Sequence, residues 1–144
     1  MKLLAIAALA AVCQAQPQVF LGGGLSYSRY AAPPVAAGWT TLAVRIGSSP
    51  VYSFSTIDLS ATTASPRTGA AYLAVQSGRT SLLALADAGV ALSGGLTLGS
   101  FGGGPVIVHQ LGKSPWYLIG VMRLTAVSST AVKPVFELGI GRAF

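Results

Sequence analysis

The chain has 144 residues, with nine lysines and arginines against three acids, one cysteine, one histidine and a formal net charge of +6. Only 8% of its residues are charged and its mean hydropathy is +0.66, where typical soluble domains carry roughly 25% charge. These values argue against a well-dispersed soluble domain, and one cysteine with one histidine supplies neither a disulfide framework nor a metal-ligand set.

The first element reads as a secretory signal. Lys2 gives a positive start, "LLAIAALAAV" is a ten-residue apolar run too short to span a bilayer as a helix, and "CQAQ" offers a cleavage site after Ala15. Residues 1–15 are therefore expected to be a cleaved signal peptide and 16–144 a single β-barrel domain. Lipidation at Cys13 is the alternative, but Val12 stands where a small residue is expected. After cleavage no cysteine would remain to serve as a nucleophile or a metal ligand.

Behind the signal, turn residues divide the chain into eight segments of about ten residues, rich in Val, Ile, Leu, Thr and aromatics. Strands are predicted at 19–30, 39–47, 51–61, 70–77, 82–92, 96–110, 116–126 and 134–144. The run 62–69, "TTASPRTG", reads as a loop. The connections at 48–50, 78–81 and 112–115 read as short, and those at 31–38, 62–69 and 127–133 as longer, with "SGG" the exception. The longest apolar stretch, 82–92, contains Asp87 and is too short to cross a membrane as a helix. In hydrocarbon every backbone polar group must be satisfied internally, so an apolar exported chain without a spanning helix points to a closed barrel. The predicted fold is an all-β, eight-stranded antiparallel up-and-down transmembrane barrel.

Alternation assigns the faces. Thr40, Leu42, Val44 and Ile46 share one parity, and Arg45 has the other. A cation facing lipid at mid-depth costs about 2–4 kcal/mol, so Arg45, Asp58, Asp87, Arg123 and Glu137 are expected to form a charge network in the lumen. Centring the last connection on 129–132 makes Arg123 and Glu137 direct cross-strand neighbours. Phe20, Tyr52, Trp116 and Phe144 at one rim, and Tyr30 and Trp39 at the other, are expected as interfacial aromatics. The remaining cations are scattered. They suit anionic lipid head groups or solvent, and no nucleic-acid site is predicted.

The last segment, "FELGIGRAF", carries Phe136, Leu138, Ile140 and Phe144 on one parity. Together with the signal and the eight alternating segments, it makes the chain resemble the small eight-stranded outer-membrane β-barrel proteins of didermal bacteria, the porin-like and OmpA-like barrels. Arg142 departs from that pattern, since a hydrophobic residue is usual there. The resemblance implies residence in the outer membrane and recognition of Phe136, Leu138, Ile140 and Phe144 as the assembly signal. Its implied partners are outer-membrane lipids, the barrel-assembly machinery and periplasmic chaperones.

Chemistry is sparsely written. His109, in "VIVHQLGKSP", is the one candidate for a lipid-modifying enzyme, and the His-x-Ser spacing of barrel deacylases is missing because Leu111 holds that place. "GGG" at 22–24 and "GSFGGGP" at 99–105 lack the helix and the Lys-Ser/Thr ending of a phosphate loop; glycine in strands marks bends and close packing instead. No catalytic residue, cofactor or metal is expected. A side-chain-filled eight-stranded barrel leaves no wide aqueous channel, so the expected role is structural or interactive in the envelope. The alternative is a secreted soluble all-β barrel holding a small apolar ligand. The polarity of the outward face separates the two.

Overall fold

In the computed structural model, residues 19–28, 35–127 and 132–144 are described. Eight strands follow in chain order: β1 Val19–Ser28, β2 Val35–Arg45, β3 Val51–Leu59, β4 Thr63–Ser77, β5 Thr80–Ser93, β6 Leu96–Gln110, β7 Trp116–Val127 and β8 Lys133–Ala143. Each pairs antiparallel with its neighbour in sequence, and β8 returns to β1, so the sheet is a closed up-and-down barrel. Closure satisfies both strand edges. The seam runs from Phe20 opposite Ala143 to Ser28 opposite Val135, and Phe144 N–H donates to the Val19 carbonyl at 2.9 Å.

Local sequence explains most of the boundaries. Gly94 and Gly95 both lie at positive φ, 56° and 81°, a region that favours glycine, and they close the β5–β6 hairpin in two residues. The period-two alternation puts one parity of every strand inside. Arg45, Tyr52, Phe54, Arg67, Ala71, Asp87, Val106, Ile119, Arg123, Val135 and Glu137 are buried, with Leu42, Tyr72, Ile107, Leu118, Met122, Phe136, Leu138 and Ile140 exposed.

Two predicted elements differ in the structure. β2 begins at Val35 and not at Trp39, because residues 35–38, expected within a loop, pair with β1 from Leu25 opposite Gly38 to Ser28 opposite Val35. Residues 63–69, expected within a loop, form the first half of β4 and pair with β3 from Leu59 opposite Ala64 to Asp58 opposite Ser65 and Thr56 opposite Arg67. Pro66 and Gly69 read as turn signals, but cross-strand pairing on both sides overrides them. The predicted contrast between short and long connections disappears with that loop. The β3–β4 connection is residues 60–62 and β5–β6 is 94–95, against 46–50, 78–79 and 111–115 at the other end. The end bearing 46–50, 78–79 and 111–115, together with the start of β1 and the end of β8, is termed proximal below; the other is distal.

The predicted signal, Cys13 and Tyr30 lie outside the described residues. Among the described residues no helix is long and apolar enough to cross a membrane, which says nothing of strands.

Candidate functional site: a charge layer across the lumen

The lumen has two layers. In the distal half, all three acidic side chains of the chain, Asp58, Asp87 and Glu137, converge on Arg67 and Arg123. Arg67 is the hub. Its Nε donates to Asp58 Oδ2 at 2.7 Å, Nη1 to Asp87 Oδ2 at 2.7 Å, and Nη2 to Asp58 Oδ1 at 3.0 Å and Glu137 Oε1 at 2.8 Å. Arg123 donates from Nη1 to Asp87 Oδ2 at 2.8 Å and from Nη2 to Glu137 Oε1 at 3.2 Å. A planar guanidinium presents its donors as a fixed fork, which lets one side chain bridge several carboxylates.

The strands dictate this geometry. β4 and β8 lie on opposite walls of the eight-stranded ring, so the Arg67–Glu137 contact crosses the whole lumen. Asp58 and Asp87 stand on β3 and β5, the strands paired with β4 on either side. Small residues make the room: a Cβ on Gly89 would stand 3.0 Å from Arg67 Cγ, and one on Gly102 would stand 3.2 Å from Asp87 Oδ1. Arg67 and Arg123 are 6% and 2% exposed, so the pairs are screened little by solvent. The layer joins five strands and fills the lumen at its own height.

The sequence expectations are corrected at several residues. Arg67, expected within a loop, lies in β4, and it shares the lumen face with Asp58 and Asp87 once 63–69 is strand. Arg45 is buried on the lumen face, but at the proximal end of β2, where its Nε donates to Ser49 O at 2.8 Å and Nη2 to Ser48 O at 3.1 Å; it braces the 46–50 turn. Arg123 and Glu137 are not direct register partners. Glu137 faces Val121 and Arg123 faces Val135, a register shifted by two residues, and the long arginine reaches Glu137 diagonally.

The aromatic rims are corrected too. Trp39 and Tyr52 are buried inside the barrel, and Phe20 packs inward against the Trp39, Val106 and Ile119 cluster. Trp39 Nε1 donates to Leu25 O at 3.1 Å. Its ring lies over β8, where a Cβ on Gly139 would stand 2.6 Å from Trp39 Cζ2. Large rings opposite glycines fit the taper of a small barrel. Trp116 and Phe144 do stay outside, and the guanidinium of Arg142 lies 5.9 Å and 5.0 Å from their ring centroids. Cation–π contact with two rings accounts for a cation at this otherwise apolar position.

His109 points outward, with Nδ1 2.9 Å from Thr80 Oγ1. Among the described residues there is no group of three His, Cys, Asp or Glu side chains placed to hold a metal ion.

The exterior is the reverse of the lumen. Leu25, Phe101, Leu138 and Phe144 are among many large apolar side chains at least half exposed. Outward hydroxyls turn back to the wall: Thr40 Oγ1 donates to Gly22 O at 3.2 Å and Thr68 Oγ1 to Phe54 O at 3.0 Å. Fold and site together define a small closed β-barrel with an apolar surface and an ion-paired interior. No protein-family model matches the sequence, and no curated protein is similar to it. Among solved structures the chain is similar to one titled "De novo design of transmembrane beta-barrels", with a TM-score of 0.60 and 9% identity over 90% of this chain and 98% of that one. At that identity the likeness bears on the fold.

Proposed function

We propose that the protein is a membrane-spanning barrel of the bacterial outer membrane, with a structural or interaction role and a lumen closed to wide diffusion. The observation that carries this reading is the inverted polarity: every acidic side chain lies in the interior ion-pair layer, while the outward face presents Leu, Ile, Phe and Met. A soluble barrel would be the other way round, because an exposed apolar surface this continuous drives association. β4, β5 and β6 have 15, 14 and 15 residues, more than the roughly 9–11 that a tilted strand needs to cross. Outer-membrane lipid is then the principal partner, with the barrel-assembly machinery and periplasmic chaperones acting on Phe136, Leu138, Ile140 and Phe144 during biogenesis. Residues 1–15 act as the cleaved export signal.

The reading assigns no catalytic role to His109. The test of the whole reading is detergent extraction followed by electrophoresis with and without boiling. A membrane barrel fractionates with the outer membrane and changes mobility only when boiled. Recovery in the soluble periplasm without a mobility shift would overturn it. His109→Ala should leave the lipid profile of the cell unchanged; altered lipid modification would restore the enzyme reading.

A further inference from the structure

Proximal to the charge layer the lumen changes character. A cavity of about 120 Å³ lies there, walled chiefly by Phe20, Phe54, Leu83, Leu85, Val106 and Ile119, with Arg67 and Glu137 as its floor. We propose that this cavity binds the alkyl chain of a single-chain anionic amphiphile, whose head group stays at the proximal mouth. The inference needs the barrel and its lumen, not the bilayer, so it stands or falls separately from the membrane reading.

Three observations select the occupant. First, the polar groups at the inner end of the wall are already engaged. Thr56 Oγ1 donates to Thr41 Oγ1 at 2.6 Å, Thr41 Oγ1 donates to Ser55 O at 3.2 Å, and Arg67 is bound to Glu137. A buried water needs two to four polar partners, and an apolar cavity of this kind stays dry and takes apolar guests. The inner end of the guest is therefore hydrocarbon.

Second, the cavity is long and thin. On β5 its lining runs from Ser81 to Leu85. Four residues of strand rise about 13 Å, or about 10 Å along the axis of a barrel whose strands tilt by roughly 35–45°. A volume of about 120 Å³ over that length is a slot for an unbranched chain and not for a fused ring system. Its outer end is marked by Ser81, Val108 and Tyr117, which are partly exposed.

Third, the side-chain charge at the mouth has one sign. Arg79 and Lys113 are exposed on the 78–79 and 111–115 turns, and the acidic side chains are all in the distal layer. A rim of one sign concentrates counter-ions, so an anionic head is favoured where the chain emerges.

The test uses the full barrel, perdeuterated with protonated Ile, Leu, Val and Met methyls, in a deuterated zwitterionic detergent. Protonated octanoate is titrated in and its contacts to the methyls are read by nuclear Overhauser effects. The expected result is saturation at one octanoate per barrel, with contacts to Leu83, Leu85 and Val106 and no saturable contact to outward Leu138 or Ile140. Ala71→Phe and, independently, Leu83→Trp fill the slot and should remove the contacts. Octyltrimethylammonium should bind about tenfold more weakly, the low end of what a single-sign rim gives a counter-ion. An eight-carbon lysophospholipid distinguishes the sources of such a ligand: binding of octanoate alone assigns a free fatty acid, and binding of the lysophospholipid assigns a phosphate head. Contacts confined to the outward methyls would overturn the site, and equal binding of the cationic amphiphile would overturn the anionic head group.

Discussion

Replacing Arg67 by alanine should be the most damaging single change in the lumen. The guanidinium bonds to all three carboxylates of the chain, at 2.7–3.0 Å, from a side chain 4% exposed. Once it is gone, three carboxylates face the single guanidinium of Arg123. Breaking a buried pair by removing one partner costs about 3–5 kcal/mol, and the three-way contact places Arg67→Ala at about 5 kcal/mol, the upper end of that range. With a urea slope of about 1–3 kcal/mol per molar, the unfolding midpoint should fall by roughly 2–5 M. Arg67→Lys keeps one charge but not the fork, and should recover about half of the loss. The assay is reversible urea unfolding in lipid vesicles, followed by the fluorescence of lumenal Trp39. A loss below about 1 kcal/mol, the value of an exposed pair, would mean that the carboxylates are hydrated, and the dry ion-pair layer would be refuted.

Other changes probe separate parts of the barrel. A double-mutant cycle on Arg123→Ala and Glu137→Ala should give a coupling of about 1–3 kcal/mol by the same urea assay, and additive effects would mean that the diagonal contact is not made. Thr125 is 3% exposed and its Oγ1 has no hydrogen-bond partner in the protein, so Thr125→Val should stabilise the barrel by about 1 kcal/mol; a lower midpoint would reveal a partner for the hydroxyl. Leu138→Arg puts a cation on the outward wall and should cost about 2–4 kcal/mol in a bilayer, whereas a soluble barrel would tolerate it. Gly139→Val would drive a side chain into the Gly23 carbonyl of β1 and the Trp39 ring and should cost about 3 kcal/mol or more by overpacking, with a shifted Trp39 emission spectrum as the second readout.

Much of this architecture is written in the sequence. Six of the eight strands fall within two residues of their predicted ends, because alternation and glycine-rich turns are local signals. The parity of Glu137 against Phe136 and Leu138 likewise fixed which face of β8 is apolar. The losses have physical causes. Pro66 and Gly69 outweighed the strand pattern around Arg67, since a local reading has no access to the β3 and β5 backbones that pair there. Tyr52 near a strand end, and Trp39 at the start of its predicted strand, look the same in sequence whether they face lipid or lumen; Gly139 of β8, which leaves space for an inward Trp39, stands 100 positions further along the chain.

The sequence by itself determined a chain of alternating strands with few charges, and its periodicity determined which side chains share a face. Only the closed tertiary structure decided what those faces enclose. Closure brings β4 across from β8, so Arg67 meets Glu137 over 70 residues of chain, and the same closure leaves a slot of hydrocarbon beneath them. A strand's period fixes the side on which a residue points. The partner it meets across a lumen depends on strand number and register around the whole ring, which are properties of the assembled sheet.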